Sequence, residues 1–256
     1  MKKQVVIVIP IHQDEPSKFE KVSLAQTLSV LGKHPITFQT KEGVNTQWYE
    51  DFCRGKATVT FERFKWNGAQ EYNNLLALPE FYQRFKEYEY MLICHLDAFV
   101  FRDELEKWCE YGYDYIPSII YNTEWDGLPT RYGKLMGLVR PEYFGNGGFG
   151  LRKIETFVRL VSSFYIKSRI FIWKLRSKSY QEDILLCQIF PKLGPAFKMP
   201  GKSQVQLFGA AFEIWDEKNL PFGNSDLKHL PFGIHGWYNY DLDFWKPCIR
   251  AYGHTI

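Results

Sequence analysis

Tyr90-Met91-Leu92-Ile93-Cys94-His95-Leu96-Asp97 is the stretch that decides the fold. An uncharged run from Tyr90 to Cys94 leads straight into a histidine and an acid. A short apolar run with no polar alternation predicts a strand covered on both faces, the habit of parallel sheets. In open α/β sheets, ligands gather just beyond the carboxyl ends of such strands. Asp97 is therefore the first candidate for a ligand-binding acid.

Upstream, Val5-Val6-Ile7-Val8-Ile9-Pro10 gives a second strand of this kind, over Gln4–Ile9. Phe19–Leu31 follows as a helix stopped at Gly32, and Pro35–Gln39 as another strand. This βαβ start predicts an α/β fold with a mostly parallel central sheet flanked by helices. Thr58–Phe64 reads as a strand and Glu71–Tyr90 as one long helix, with Leu75, Leu76, Leu78, Phe81, Phe85 and Tyr88 as its apolar stripe. Tyr113–Ile120 is strand-like, and Tyr121–Gly145 reads as a long functional loop. Helices are expected over Ile154–Phe164 and Gln181–Phe190, and strand and loop over the remaining C-terminal residues. No repeat or linker interrupts the chain. One domain over residues 1–256 is expected, with a nucleotide-binding part (about 1–120) and an acceptor and catalytic part (about 121–256).

Composition narrows the function classes. A net charge of +3 with no dense basic block argues against nucleic acid. Five widely spaced cysteines without a C-x-x-C pair argue against a disulfide framework or a structural zinc. The N-terminal apolar run is too short for a signal peptide, and no stretch approaches the roughly 20 residues of a membrane span. The chain reads as cytoplasmic, with a place at the inner face of the membrane as a further expectation. Tyr165–Lys178 mixes aromatics with Lys167, Arg169, Lys174, Arg176 and Lys178, which suits either a solvated helix face or peripheral contact with an anionic membrane.

Four further motifs carry candidate chemistry. Gly145-Asn146-Gly147-Gly148-Phe149-Gly150-Leu151-Arg152 reads as a glycine-rich loop whose glycines permit positive φ and close backbone approach to a ligand. Asn146 can bond sugar hydroxyls, and Arg152 can pair with an anion or brace the loop. It lacks the G-K-[ST] of a phosphate loop and does not follow an N-terminal strand, so neither a P-loop nor a Rossmann cofactor site is expected. Glu182-Asp183 opens a helix, where paired acids complement the macrodipole or supply a general base. His235, between glycines, can join a metal shell, contact phosphate or serve the structure. Tyr72 and Asn73 offer an aromatic ring and an amide to a base or ribose.

In this order the motifs resemble a bacterial family of GT-A-like proteins catalogued as a domain of unknown function and associated with surface-polysaccharide loci. The resemblance runs roughly from Val5 to Trp237. The chain is also similar to inverting GT-A enzymes such as β1,4-galactosyltransferases and fringe-like enzymes. The resemblance implies a GT-A fold and transfer of a sugar from a nucleoside diphosphate sugar, UDP-sugar foremost, to a glycan or lipid-linked acceptor. It implies Asp97 as the metal-binding acid of a D-x-D motif, Asn146, Gly147 and Gly148 in the sugar and acceptor segment, and Asp183 with Glu182 at the base. His235 matches a late metal ligand, and Pro10 and Ile11 fall where such folds hold the base. Only one acid of the D-x-D is present here: Phe99 occupies its third position, or His95 its first. A nitrogen ligand there suits Mn²⁺ better than Mg²⁺ as the divalent cofactor. A retaining transferase, a non-catalytic carbohydrate- or nucleotide-binding protein on the same scaffold, and more weakly a nucleotidyltransferase are the other readings.

Overall fold

The computed structural model describes residues 2–120, 143–176, 181–189, 197–211, 230–240 and 242–256. In its parallel half β1 (Lys3–Ile11) pairs with β2 (Ile36–Lys41) on one side and β4 (Tyr88–Cys94) on the other. The parallel β3 (Val59–Phe64) closes that edge. Val5, Ile7, Ile9 and Ile11 enter the core on one face, and Val6 and Val8 on the other. Burial on both faces is why β1 and β4 read as unbroken apolar runs.

Beyond β4 the sheet changes direction. β7 (Phe144–Lys153) runs antiparallel between β4 and β6 (Tyr115–Ile120). Three short strands complete it: β5 (Ala98–Val100), β8 (Gly209–Ala211) and β9 (Gly233–His235). Among the described residues these nine strands form one sheet in the order β3-β2-β1-β4-β7-β6-β8-β9-β5. Five of its eight pairings are parallel, so the expected mostly parallel α/β sheet is what the chain forms.

Helices cover both faces. One core lies under α1 (Lys18–Leu31), α2 (Gln47–Cys53), α5 (Leu105–Glu110) and α9 (Lys202–Phe208). The opposite core lies under α3 (Gly68–Leu76), α4 (Pro79–Gln83), α6 (Ile154–Ser162) and α8 (Glu182–Ile189). A third apolar cluster joins β5 and β9 to α10 (Trp237–Tyr240) and α11 (Leu242–Ala251). The remaining helix, α7 (Phe164–Arg176), follows α6 and packs against it.

Three expectations are corrected. The single helix over Glu71–Tyr90 is two short helices, with Tyr88 already in β4. Pro79 is the cause, because it holds Leu78 extended (φ −105°, ψ 136°) and starts a new helix. The glycine-rich segment is strand rather than loop, and none of Gly145, Gly147, Gly148 and Gly150 takes a positive φ. The C-terminal part holds α9, α10 and α11, not strand and loop alone. The expected loop over Tyr121–Gly145 falls mostly on 121–142, outside the described residues.

Candidate active site

β4 ends at Cys94 and delivers His95 and Asp97 at the carboxyl end of the sheet. The β5–β9 pairing sets Ala98 opposite His235, so two segments far apart in sequence meet there. Gly236 then takes φ 74°, a conformation suited to glycine, and its N–H donates to the Asp97 carbonyl at 2.9 Å. His235 Nε2 consequently lies 3.0 Å from Asp97 Oδ1, while Asn239 Nδ2 donates to Asp97 Oδ2 at 3.0 Å. The His95 and His235 rings sit edge to face at 5.3 Å. Tyr72 Oη and His95 Nε2 share a hydrogen bond at 3.1 Å.

Electrostatics match that geometry. Burial, and then the nearby His235, hold the His95 imidazole down to about 3, so it is neutral at pH 7. Burial works against ionisation of Asp97, yet His235 and the hydrogen bond it makes hold that carboxyl below the usual carboxylate range. His95, Asp97 and His235 each offer one donor atom, all within 4.8 Å of one another. A neutral imidazole, an ionised carboxylate and a second imidazole fit a divalent ion, with the nitrogens favouring Mn²⁺ over Mg²⁺. Gly148 makes room for this cluster, because a Cβ there would stand 2.1 Å from His235 Nε2.

The cluster opens into a cleft of about 410 Å³. Pro10, Tyr72, His95 and Asp97, all expected at a site, line it. His12, Glu20, Lys41, Trp66, Gly68, Tyr238 and Asn239 also line it and were not read as site residues. The nearest signals are His12, two residues beyond Pro10, and Tyr238-Asn239, shortly after His235-Gly236. Ile11 does not face the cleft, since its side chain is fully buried in the core. Asn73 lies on α3 beside Tyr72 and is not among the lining residues.

The glycine strand and the acid pair form a layer behind this cluster. His95 N–H donates to the Gly148 carbonyl at 2.7 Å, and Gly148 N–H to Asn146 Oδ1 at 2.8 Å. Gly147 N–H donates to Asp183 Oδ2 at 2.8 Å. A Cβ on Gly147 would come within 2.6 Å of Arg152 Nη2. Arg152 is entirely buried and donates to Glu182 Oε1 and to Tyr82 Oη, both at 2.7 Å. Arg152 thus joins β7 to side chains from α4 and α8. Glu182 is likewise buried, with its Oε1 on Arg152. Burial pushes its carboxyl up to about 7 against the pull of Arg152, with Asp183 adding to the rise.

A family model described as "Protein of unknown function (DUF5672)" matches residues 57–235. The chain belongs to this family. The match takes in Tyr72, His95, Asp97, the glycine strand, the acid pair and His235 of this DUF5672 protein, and leaves out Pro10. No match was found among curated protein sequences. Solved structures share the fold. The galactosyltransferase LgtC in complex with donor and acceptor sugar analogs aligns with TM-score 0.61 and 15% identity, covering 96% of this chain and 94% of that one. Mouse xyloside xylosyltransferase 1 in its apo form aligns at 0.58 and 10%, covering 93% and 99%. Core-mannan synthase A from Aspergillus fumigatus, in its Mn/GDP form, aligns at 0.53 and 11%, covering 73% and 70%. The DUF5672 chain thus has the GT-A glycosyltransferase fold.

Proposed function

We propose that this protein transfers a sugar from a nucleoside diphosphate sugar, with UDP as the favoured nucleotide, to a hydroxyl on a glycan or lipid-linked acceptor. The observation that carries the reading is the His95–Asp97–His235 cluster, two of whose members, His95 and Asp97, line an aromatic-walled cleft. These three residues would hold a divalent ion, which when bound neutralises charge on a leaving diphosphate. Pro10 and Tyr72 would border the nucleotide. Neighbours crystallised with sugar analogs or with Mn and GDP support the kind of ligand. One domain would hold both parts, the donor in the N-terminal half and the acceptor in the C-terminal half. A cytoplasmic place in bacterial surface-glycan synthesis accords with five free, buried cysteines. Among the described residues no helix is long and apolar enough to cross a membrane.

For the transfer itself, Asp183 is the proposed base. It takes the acceptor proton as the acceptor oxygen attacks the anomeric carbon, and the bond to the diphosphate breaks with inversion. Glu182 and Arg152 hold the segment that carries it. One observation favours a second, retaining reading: Asp183 Oδ2 already accepts from Gly147 N–H. The anomeric configuration of the product, read by NMR, decides between them, and full activity in Asp183→Asn removes the base assignment. The reading as a whole is tested by calorimetry with a sugar-nucleotide panel, with and without Mn²⁺. A UDP-sugar is expected to bind only with Mn²⁺ and to lose binding in Asp97→Ala. Undiminished binding by that variant refutes the cluster's role, and binding without any turnover leaves a carbohydrate-binding scaffold instead.

A further inference from the structure

We propose that α7 seats this protein on an anionic phospholipid surface. The helix reads Phe-Tyr-Ile-Lys-Ser-Arg-Ile-Phe-Ile-Trp-Lys-Leu-Arg and carries Lys167, Arg169, Lys174 and Arg176 with no acidic residue. Phe164 is 86% exposed and Phe171 61%, more than any other large apolar side chain among the described residues. Seven residues apart on a helix, they share one face, and Lys167 lies between them on the same side. Ile166 points the other way and is fully buried, which fixes the helix on the protein with its phenylalanines outward. Arg169 lies over the Tyr165 ring at 5.0 Å.

Two exposed rings with the exposed Lys167 between them, on a helix whose sequence carries four cations and no acid, suit one partner chemistry. The rings enter the boundary between headgroups and acyl chains while the cations meet lipid phosphates. A phosphate backbone alone would use the cations and leave both rings in water. Charge complementarity therefore selects an anionic bilayer. In sequence, Glu182 and Asp183, the pair behind the glycine strand, come six and seven residues after the end of α7 at Arg176. A membrane-seated α7 thus sits on the segment that leads to the proposed acceptor side. The proposal stands on the helix itself and holds whether or not the transferase reading does.

The test uses the full chain and sedimentation with vesicles of phosphatidylcholine alone or mixed with phosphatidylglycerol. Wild type is expected to pellet with the mixed vesicles, to stay in solution with the neutral ones, and to be released by high salt. Each basic residue near such a surface changes partitioning about fivefold, so Lys167→Glu is expected to weaken it by at least that factor. Phe164→Ser with Phe171→Ser is expected to reduce it to the neutral-vesicle level, with the melting temperature kept because both side chains are exposed. Hydrogen exchange over 164–172 should slow on mixed vesicles. Wild type that stays in solution, equal binding to both vesicle types, variants that pellet like wild type, or exchange over 164–172 that vesicles leave unchanged would each overturn the proposal.

Discussion

Gly148 holds open the space that His235 occupies, so one added methyl tests the site more sharply than removal of a ligand. In Gly148→Ala the new Cβ meets the imidazole at 2.1 Å, and His235, held between β9 and Gly236, has little room to retreat. Mn²⁺ affinity is expected to fall at least tenfold by calorimetry, with a stability cost of about 1–3 kcal/mol from overpacking. Gly150→Ala is the control, because its nearest contact is at 3.4 Å, and it should bind Mn²⁺ as wild type does. Equal affinity in both variants would remove His235 from the ligand set. Glu182 supplies a pH prediction. Its folded carboxyl is raised from 4.5 to about 7, so between those values the unfolded chain loses its proton first. The folded state then binds more protons than the unfolded one, and stability falls as pH rises through this window. Glu182→Gln keeps an acceptor for Arg152 without the ionisation. The melting temperature of wild type relative to this variant should decline from about pH 5 to 7 and then level off. Parallel melting curves across that range would show that Glu182 does not titrate there.

At the scale of elements, β7 is a strand where its local sequence suggests a loop. Glycines clustered with asparagine suggest a turn when only local conformation is considered. In the fold they instead let a central strand pass close to other groups: Gly145 against Pro117, Gly147 against Arg152, Gly148 against His235. Pro117 and His235 come from other strands, and Arg152, though only five residues from Gly147, is turned back toward it by partners on other elements, so no window of sequence contains the reason. The same holds for Arg152, whose partners Tyr82 and Glu182 arrive on α4 and α8. Asp97, by contrast, was legible because an apolar strand leads directly to it. The brace between these helices and β7 is testable at Tyr82, whose hydroxyl accepts from Arg152 and donates to the Leu76 carbonyl at 2.8 Å. Tyr82→Phe strips one acceptor from a buried cation, which costs about 1.5–3 kcal/mol. Urea unfolding should show that loss with sugar-nucleotide affinity unchanged. A loss below about 0.5 kcal/mol would mean that Arg152 is held without Tyr82.

Across the whole molecule, the parallel half of the sheet could be read because β1 and β4 carry their burial in their own composition. The other half could not, since β8 and β9 are three-residue strands that owe their place to the partners beside them. The candidate metal cluster spans that divide: His95 and Asp97 follow β4, and His235 ends β9 at the far side of the sheet. An ion held there ties the legible half to the other and binds only when both are folded. Mass action then links metal to global stability, by about 2.7 kcal/mol when free Mn²⁺ is ~100 times its Kd. For a chain of this size each kcal/mol moves Tm by roughly 2–4 °C, so Mn²⁺ should raise it by roughly 5–10 °C. Mg²⁺ should raise it less, because two of the three donors are imidazoles. Asp97→Ala should abolish the Mn²⁺ shift while folding normally in its absence. A shift of equal size in that variant would place the ion elsewhere, and no shift in wild type at saturating Mn²⁺ would mean that the three groups face one another as a hydrogen-bonded cluster without a metal.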